Sequence, residues 1–580
     1  MRIHITLLAT LLLLAHGGEK VPNFTLEDTN GRKHTLYDQK DAKAIVLFFI
    51  GTECPLANRY LTRLNDLATA YSEKNVVVFA VNASAMESVD EIAKHATSQG
   101  IAVPVLLDRD QKVADSVKVG MTPTAVLIDA GWEVRYRGAF DDNKSQDLVK
   151  RRWLREAIDA VLGGKEITVK ETETPGCTIQ RPLKETGGEI TFAEHIAPLY
   201  NKYCVSCHRP GQVAPFSLTN YETARRWARD CKLRTQAKQM PPWKPVNHGV
   251  FRDERLMTDA EIARVAKWAD NGAPLGDEKK LPEAPKFAAG WMLGEPDAVF
   301  KAPEFELGPT GADEYRCYVL PTAFDEDKWV SAVEVKPGNF RVVHHIIVYL
   351  DTSGKADKLD AADPGPGYKT YGSSPGFIPV GDMGGWAPGD MPYALPEGVG
   401  RLLKKGGRIV MEVHYHRNGR TEKDTSTIGL HFSRKPIVKQ FRTMDILNFE
   451  FNIKAGDKRH HVEARARIGE NIHVSSIMPH MHLTGREAKV TATLPDKTEV
   501  ILVHIKDWDF NWQDTYHFKE SVALPKGTKV LLEMWYDNSA ENPNNPNSPP
   551  KDLTWGEQTT DEMCLVFLFF TRDGEDKTKK

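Results

Sequence analysis

Two histidines one residue apart stand in SSIMPHMHLTG, residues 475–485, inside an apolar, strand-like run. Residues i and i+2 of a strand share a face, so His480 and His482 can grip one metal ion together. Two further clusters sit in or beside apolar runs of the same half: VVHHIIVYL, with His344 and His345, and MEVHYHRNG, with His414 and His416. Imidazole suits zinc, copper, iron or nickel. A single strand histidine is more often packed or solvated than a ligand, but three clusters in one half reverse that expectation. His344 and His345 are neighbours and would point to opposite faces of a regular strand, so sharing an ion requires a bulge or a strand end. Another pair, His460 and His461 in RHHVEA, is flanked by charge and reads as surface.

Upstream, YCVSCHRPG holds Cys204, Cys207 and His208 in the C-x-x-C-H spacing that attaches c-type haem through two thioethers, with the histidine as proximal ligand. A structural zinc site would need a second ligand pair, and none with suitable spacing follows. In AKQMPPWKP, two prolines follow Met240 and hold it in a rigid loop, and its soft thioether makes it the expected sixth iron ligand, with Met257 as the fallback. Nearer the N-terminus, GTECPLANRY puts Cys54 after a buried strand and at the start of a helix, where N–H groups and the helix dipole lower a thiol pKa. Of seven cysteines, Cys204 and Cys207 belong together; the odd remainder of Cys54, Cys177, Cys231, Cys317 and Cys564 leaves at least one reactive thiol, assigned to Cys54.

At 580 residues the chain exceeds one hydrophobic core and reads as multidomain. Residues 1–18 have the form of a cleaved secretory signal, which implies a periplasmic or secreted protein, and no later stretch is long and apolar enough to span a membrane. Strand–helix alternation over 19–163 predicts a layered α/β domain. Residues 164–188 read as a polar linker, 189–280 as a small all-α domain around the haem motif, and 281–312 as a connector. Short alternating runs beyond predict two all-β, jelly-roll-like sandwiches, 313–437 and 438–575. With 76 basic against 79 acidic residues and no basic patch, nucleic acid is not an expected partner.

Cys54 and its helix, together with VGMTPTAVLID and its Pro123, resemble the redoxin branch of the thioredoxin superfamily. The resemblance implies a thioredoxin-like fold with a cis-proline facing the cysteine. Pro55, Leu56 and Ala57 follow Cys54, so the second cysteine of C-x-x-C is missing, and Gly51 stands where peroxiredoxins carry a threonine. A monothiol peroxidase or redox sensor and a fold kept only for docking are the two readings. The flanking helical stretches around Cys204 resemble a small cytochrome c.

The three histidine clusters and a fourth element, TTDEMCLVFLFF, resemble in order and separation the copper type II, ascorbate-dependent monooxygenases, of the peptidylglycine α-hydroxylating and dopamine β-monooxygenase family. The resemblance implies an electron-transfer copper on His344, His345 and His414 and an oxygen-binding copper on His480, His482 and Met563. The residues that clamp a substrate carboxylate in peptidylglycine enzymes are replaced here by Met478, Leu565 and Phe567, which disfavours a charged peptidylglycine substrate. The reading is an exported copper monooxygenase-like oxidoreductase that hydroxylates a C–H bond of a small molecule with O2. Its electrons come through the fused haem, from ascorbate, another small reductant or a donor protein. The alternative is an electron-transfer or peroxide-sensing protein without an organic substrate; a scaffold that has lost copper is disfavoured by the complete ligand set.

Overall fold

The run AIVLFFI has no polar face, so it folds only where both faces are covered. In the computed structural model, which describes residues 19–287, 290–370 and 375–579, this run is a fully buried strand. It lies at the centre of a five-stranded sheet ordered Val105–Leu107, Val76–Asn82, Ala44–Ile50, Thr124–Asp129, Val134–Gly138. Its side chains divide with period two: Val46, Phe48 and Ile50 join the core beneath helix Pro55–Tyr71, while Ile45, Leu47 and Phe49 join the core of the other face. The first three strands are parallel and the last two antiparallel, the thioredoxin-like arrangement expected. The predicted secretory segment, residues 1–18, lies outside the described residues. Among the described residues no helix is long and apolar enough to cross a membrane.

Residues 164–188 are not a detached linker. The first compact unit runs to Pro182, with Ile167 and Ile179 buried and Cys177–Thr178 paired to Met121–Thr122. Gly176 permits this close return, because a Cβ there would lie 1.9 Å from the Thr122 carbonyl oxygen. A few apolar anchors in polar sequence carry no periodicity, which is why the segment reads as a linker.

The second unit begins at Leu183. Its helical part packs Phe192, Tyr200 and Trp268 against one another, and helix Asp259–Asp270 starts with a capping box from Thr258 and Glu261. The expectation of a self-contained all-α domain is corrected here. After Met240 the chain crosses to the last β-sandwich, where Phe251 is fully buried in the sandwich core and Trp243 packs on it. Backbone bridges Pro245–Ile505 and Phe251–Phe518 fix the crossing. Helical periodicity marks the helices but not which core a loop aromatic will enter.

The first sandwich has sheets ordered Ala298–Lys301, Thr427–Phe432, Lys328–Lys336, Val399–Leu403, Lys439–Gln440 and Tyr368–Thr370, Glu314–Pro321, Arg408–Tyr415, Val343–Asp351, Gly381–Trp386. Ala298–Lys301, predicted as connector, is therefore an edge strand, and the sandwich starts earlier than residue 313. The second sandwich has sheets ordered Arg442–Leu447, Leu565–Arg572, Ile472–His480, Tyr516–Leu524 and His460–Arg467, Lys529–Tyr536, Gly485–Thr493, Glu499–Ile505. His460 and His461 thus open a strand; His460 is bonded to Asp457 at 3.0 Å, and His461 is exposed beside Glu533. Three segments meet where Arg255 of the helical part pairs with Asp514 of the second sandwich, beside Asp390 of the long Gly/Pro-rich insertion. Burial, and then the Asp514 charge, push the Asp390 carboxyl up to about 7.

Because Phe251 fills the sandwich core from the helical segment, Phe251→Ala should cost about 3–5 kcal/mol. Calorimetry of the full chain should show the helical segment and second sandwich unfolding in one transition, shifted to lower temperature. Separate transitions, with the sandwich unmoved, would contradict this packing.

Candidate functional site

Strand Val343–Asp351 pairs with Arg408–Tyr415, and the register slips between Val343 and His345. That irregularity supplies the bulge two neighbouring histidines require. Val343 stays opposite Tyr415 while His345 comes opposite His414, and His344 is the extra residue. The three side chains converge, with one potential ligand atom from each lying within 4.8 Å of the others. His344 Nδ1 is 3.2 Å from His345 Nδ1. His345 Nε2 and His414 Nδ1 are buried and have no hydrogen-bond partner among the described residues. Burial, then the neighbouring histidines, hold His345 well below the usual imidazole pKa, so it stays neutral and able to donate a lone pair.

Asp313 orients this cluster from one residue before strand Glu314–Pro321. Its carboxylate accepts from His414 Nε2 at 2.8 Å and from His416 Nδ1 at 2.9 Å. Burial alone would raise the Asp313 carboxyl, but the hydrogen bonds from His414 and His416 hold it well below the usual range. With its Nε2–H donated to Asp313, His414 presents Nδ1 as a lone-pair donor, the carboxylate–histidine pairing that suits a metal ligand. His416 is turned to the same carboxylate and stands outside the converging set.

His480 ends strand Ile472–His480, and His482 follows in the loop. Their rings are 5.2 Å apart and perpendicular. His480 Nδ1 donates to Gln513 Oε1 at 2.5 Å, and His482 Nδ1 donates to the Asp561 carbonyl at 3.1 Å. Both rings therefore leave Nε2 as a lone-pair donor. Burial lowers His480 to about 4 and, with the His480 neighbour added, His482 to about 3. Met563 is buried two residues before strand Leu565–Arg572. Glu562 ties this residue to the histidine loop: its carboxylate accepts from the N–H groups of His482 at 2.9 Å, Thr484 at 2.7 Å and Met563 at 3.3 Å, and from the Thr484 hydroxyl at 2.7 Å.

Phe510, on the loop that also carries Gln513, lies between the clusters. Its ring stacks on His344 at 5.2 Å and meets His482 edge-on at 6.0 Å. Met478 and Phe567 are register partners and pack against Leu395, Phe441 and Phe569. Leu565 is buried. Met478 and Phe567 are spent on apolar packing, and none of the three side chains offers a partner for a carboxylate.

At the C-x-x-C-H motif, Cys204 and Cys207 are not joined by a disulfide. His208 Nδ1 donates to the Phe216 carbonyl at 3.1 Å, which leaves Nε2 as a lone-pair donor. The Phe216 ring stacks on Trp227 at 4.1 Å and steadies that carbonyl's residue. Two reduced thiols and a tautomer-fixed imidazole fit covalent haem. Met240 is half-buried, its N–H on the Arg234 carbonyl at 3.2 Å, and Met257 is buried.

In the first unit Cys54 caps helix Pro55–Tyr71 and accepts from the Ala57 N–H at 3.5 Å. Its thiol donates to the Thr122 carbonyl at 3.3 Å, and the Thr122–Pro123 peptide is cis. Cys177 is also a hydrogen-bonding partner of the Cys54 thiol. Motif and spacing assign no role to Asp313, Gln513, Phe510 and Glu562, and Cys177 stands in the sequence only as one of the unassigned cysteines. Only Glu562, the second of two adjacent acids beside Met563 before an apolar strand, leaves a visible trace.

Residues 17–137 match the AhpC/TSA family, and residues 452–579 match the copper type II ascorbate-dependent monooxygenase, C-terminal domain. Thiol-disulfide oxidoreductase ResA of Geobacillus thermodenitrificans is 34% identical over 118 residues, covering 20% of this chain and 66% of that protein. ResA of Bacillus cereus is 30% identical over 129 residues, covering 22% of this chain and 73% of that protein. DBH-like monooxygenase protein 1 of Gallus gallus is 23% identical over 283 residues, covering 44% of each chain, so less than half of that protein is spanned. The chain thus belongs to the thioredoxin-like AhpC/TSA family through its N-terminal unit, which is fused to a region that matches the C-terminal domain of the copper type II ascorbate-dependent monooxygenases.

Proposed function

We infer that the two sandwiches form an exported copper-dependent monooxygenase that acts on a small, neutral or apolar substrate with O2. The observation that carries this reading is the convergence of His344, His345 and His414 across the bulge, with His480 and His482 beyond the Phe510 ring. His344, His345 and His414 would hold one ion, and His480, His482 and Met563 the other, where the thioether favours Cu(I). Copper bound there supplies one-electron redox chemistry and activation of O2 for insertion into a C–H bond.

The chain's own groups set the conditions. Asp313, Gln513 and the Asp561 carbonyl each take one ring proton, so the opposite nitrogens are fixed as donors before any ion arrives. Burial keeps His345, His480 and His482 neutral, and the Phe510 ring stands between the two clusters. The apolar side chains of Met478, Leu565 and Phe567 support a substrate without a carboxylate. Cys204, Cys207 and His208 would carry a c-type haem, with Met240 as its sixth ligand, and deliver electrons from ascorbate or a donor protein. The helical segment's insertion into the second sandwich core supports such delivery within one body.

Metal analysis of protein made in a host that matures c-type haem should give about two copper ions per haem. His480→Ala and Met563→Ala should each bring the ratio towards one. Glu562→Ala, which unties Met563 from the histidine loop, should do the same while leaving the first ion in place. A wild-type ratio near zero after anaerobic Cu(I) loading would refute the copper reading. Asp313→Asn should weaken the first site about 10–100-fold in a Cu(I)-chelator competition without weakening the second; unchanged affinity would remove Asp313 from that role.

A further inference from the structure

Cys54 has no second cysteine in the following turn of its helix, because Pro55, Leu56 and Ala57 follow it. The partner comes from more than a hundred residues away. Strand Cys177–Thr178 pairs antiparallel with Met121–Thr122, with Cys177 opposite Thr122. Thr122 is also the residue whose carbonyl accepts the Cys54 thiol at 3.3 Å, while its own hydroxyl reaches the Cys177 carbonyl at 3.5 Å. Gly176 makes the approach possible, since any side chain there would strike the Thr122 carbonyl. Both cysteines contribute to one core cluster, Cys54 buried and Cys177 partly buried at its edge.

We propose that Cys54 and Cys177 form a redox-active dithiol, with Cys54 as nucleophile and Cys177 as the resolving thiol that the missing C-x-x-C position would otherwise supply, and that its substrate is a disulfide. The Cys54 thiolate attacks one sulfur of R–S–S–R′, forming a mixed disulfide and releasing R′–S⁻. Cys177, losing its proton, then attacks Cys54 Sγ and expels R–S⁻. The two leaving thiolates take up the two protons, and the two electrons pass from the dithiol to the substrate. The products are a Cys54–Cys177 disulfide and two substrate thiols. An external dithiol restores the reduced pair by the reverse exchange. Hydrogen bonding from Cys177, against the opposing effect of burial, lowers the Cys54 thiol to about 7, with Thr122 and the Ala57 N–H assisting. Cys54 thus reaches thiolate form near neutral pH beside the thiol that completes the exchange.

The test uses the full chain. After oxidation by excess oxidised dithiothreitol, peptide mass spectrometry should find Cys54 linked to Cys177, and reduced dithiothreitol should reverse the link. With Ellman's reagent, the wild type should release two thionitrobenzoate groups from this pair and retain none. Cys177→Ala should release one and keep the adduct on Cys54. Loss of the Cys177 hydrogen bond should also raise the pH midpoint of Cys54 alkylation; a one-unit rise lowers its rate at pH 7 roughly fivefold. Insulin and oxidised glutathione, offered side by side, distinguish a protein disulfide from a small one. Reduction of either, lost in Cys177→Ala, supports the proposal. Absence of the linked peptide, reduction of neither substrate, or a Cys177→Ala protein that behaves as wild type would overturn it.

Discussion

Neighbouring side chains on a regular strand cannot face a common point, and the first histidine cluster exists only because one strand slips register. The slip between Val343 and His345 sets His345 opposite His414 and lets His344 turn to the same side. The rest of the site is arranged around that fixed pair. Asp313 sits where strand Glu314–Pro321 begins, on the other flank of the His414 strand, and from there it reaches both His414 and His416. Phe510 stacks on His344 and carries the site onward to His482. A bulge costs ladder hydrogen bonds and persists where the fold gains something from it; here it brings three imidazoles together.

The second cluster is held by a buried carboxylate. Glu562 satisfies three backbone N–H groups that would otherwise be orphaned in a loop under the sandwich, and so joins the residues on either side of the His480–Met563 gap. Its burial pushes the carboxyl up to about 7 despite those bonds. The same desolvation that penalises this charge keeps His480 and His482 neutral. At His345, as at His480 and His482, burial favours the neutral imidazole before a ligand is present, so these donor atoms need not compete with solvent protons.

The first unit answers a different constraint. A thiol at a helix N-terminus gains from the helix dipole, but an exchange reaction needs a second sulfur to close the cycle. The fold meets that need through a return strand rather than the next turn of helix. The second unit shows the same habit of borrowing: the helical segment completes the sandwich core with Phe251 and Trp243, so the C-x-x-C-H motif and the histidine sites belong to one packed body.

The sequence by itself determined the layered first domain, the helices about C-x-x-C-H, the β-rich remainder and the histidines worth watching. Those features are local: period-two burial in AIVLFFI, the i, i+2 spacing of His480 and His482, and the spacing of Cys204, Cys207 and His208 are properties of short stretches. The need for a bulge at His344 and His345 could also be stated in advance, because strand geometry forbids the alternative. What only the tertiary structure decided was pairing across distance. Asp313 beside His414, Gln513 beside His480, Cys177 beside Cys54 and Phe251 inside the second sandwich leave no periodic mark, since each depends on which strand or loop returns to which place. Residues 164–188 and 298–301 read as linker and connector for the same reason: a few apolar residues in polar sequence become structural only when a distant strand is there to receive them.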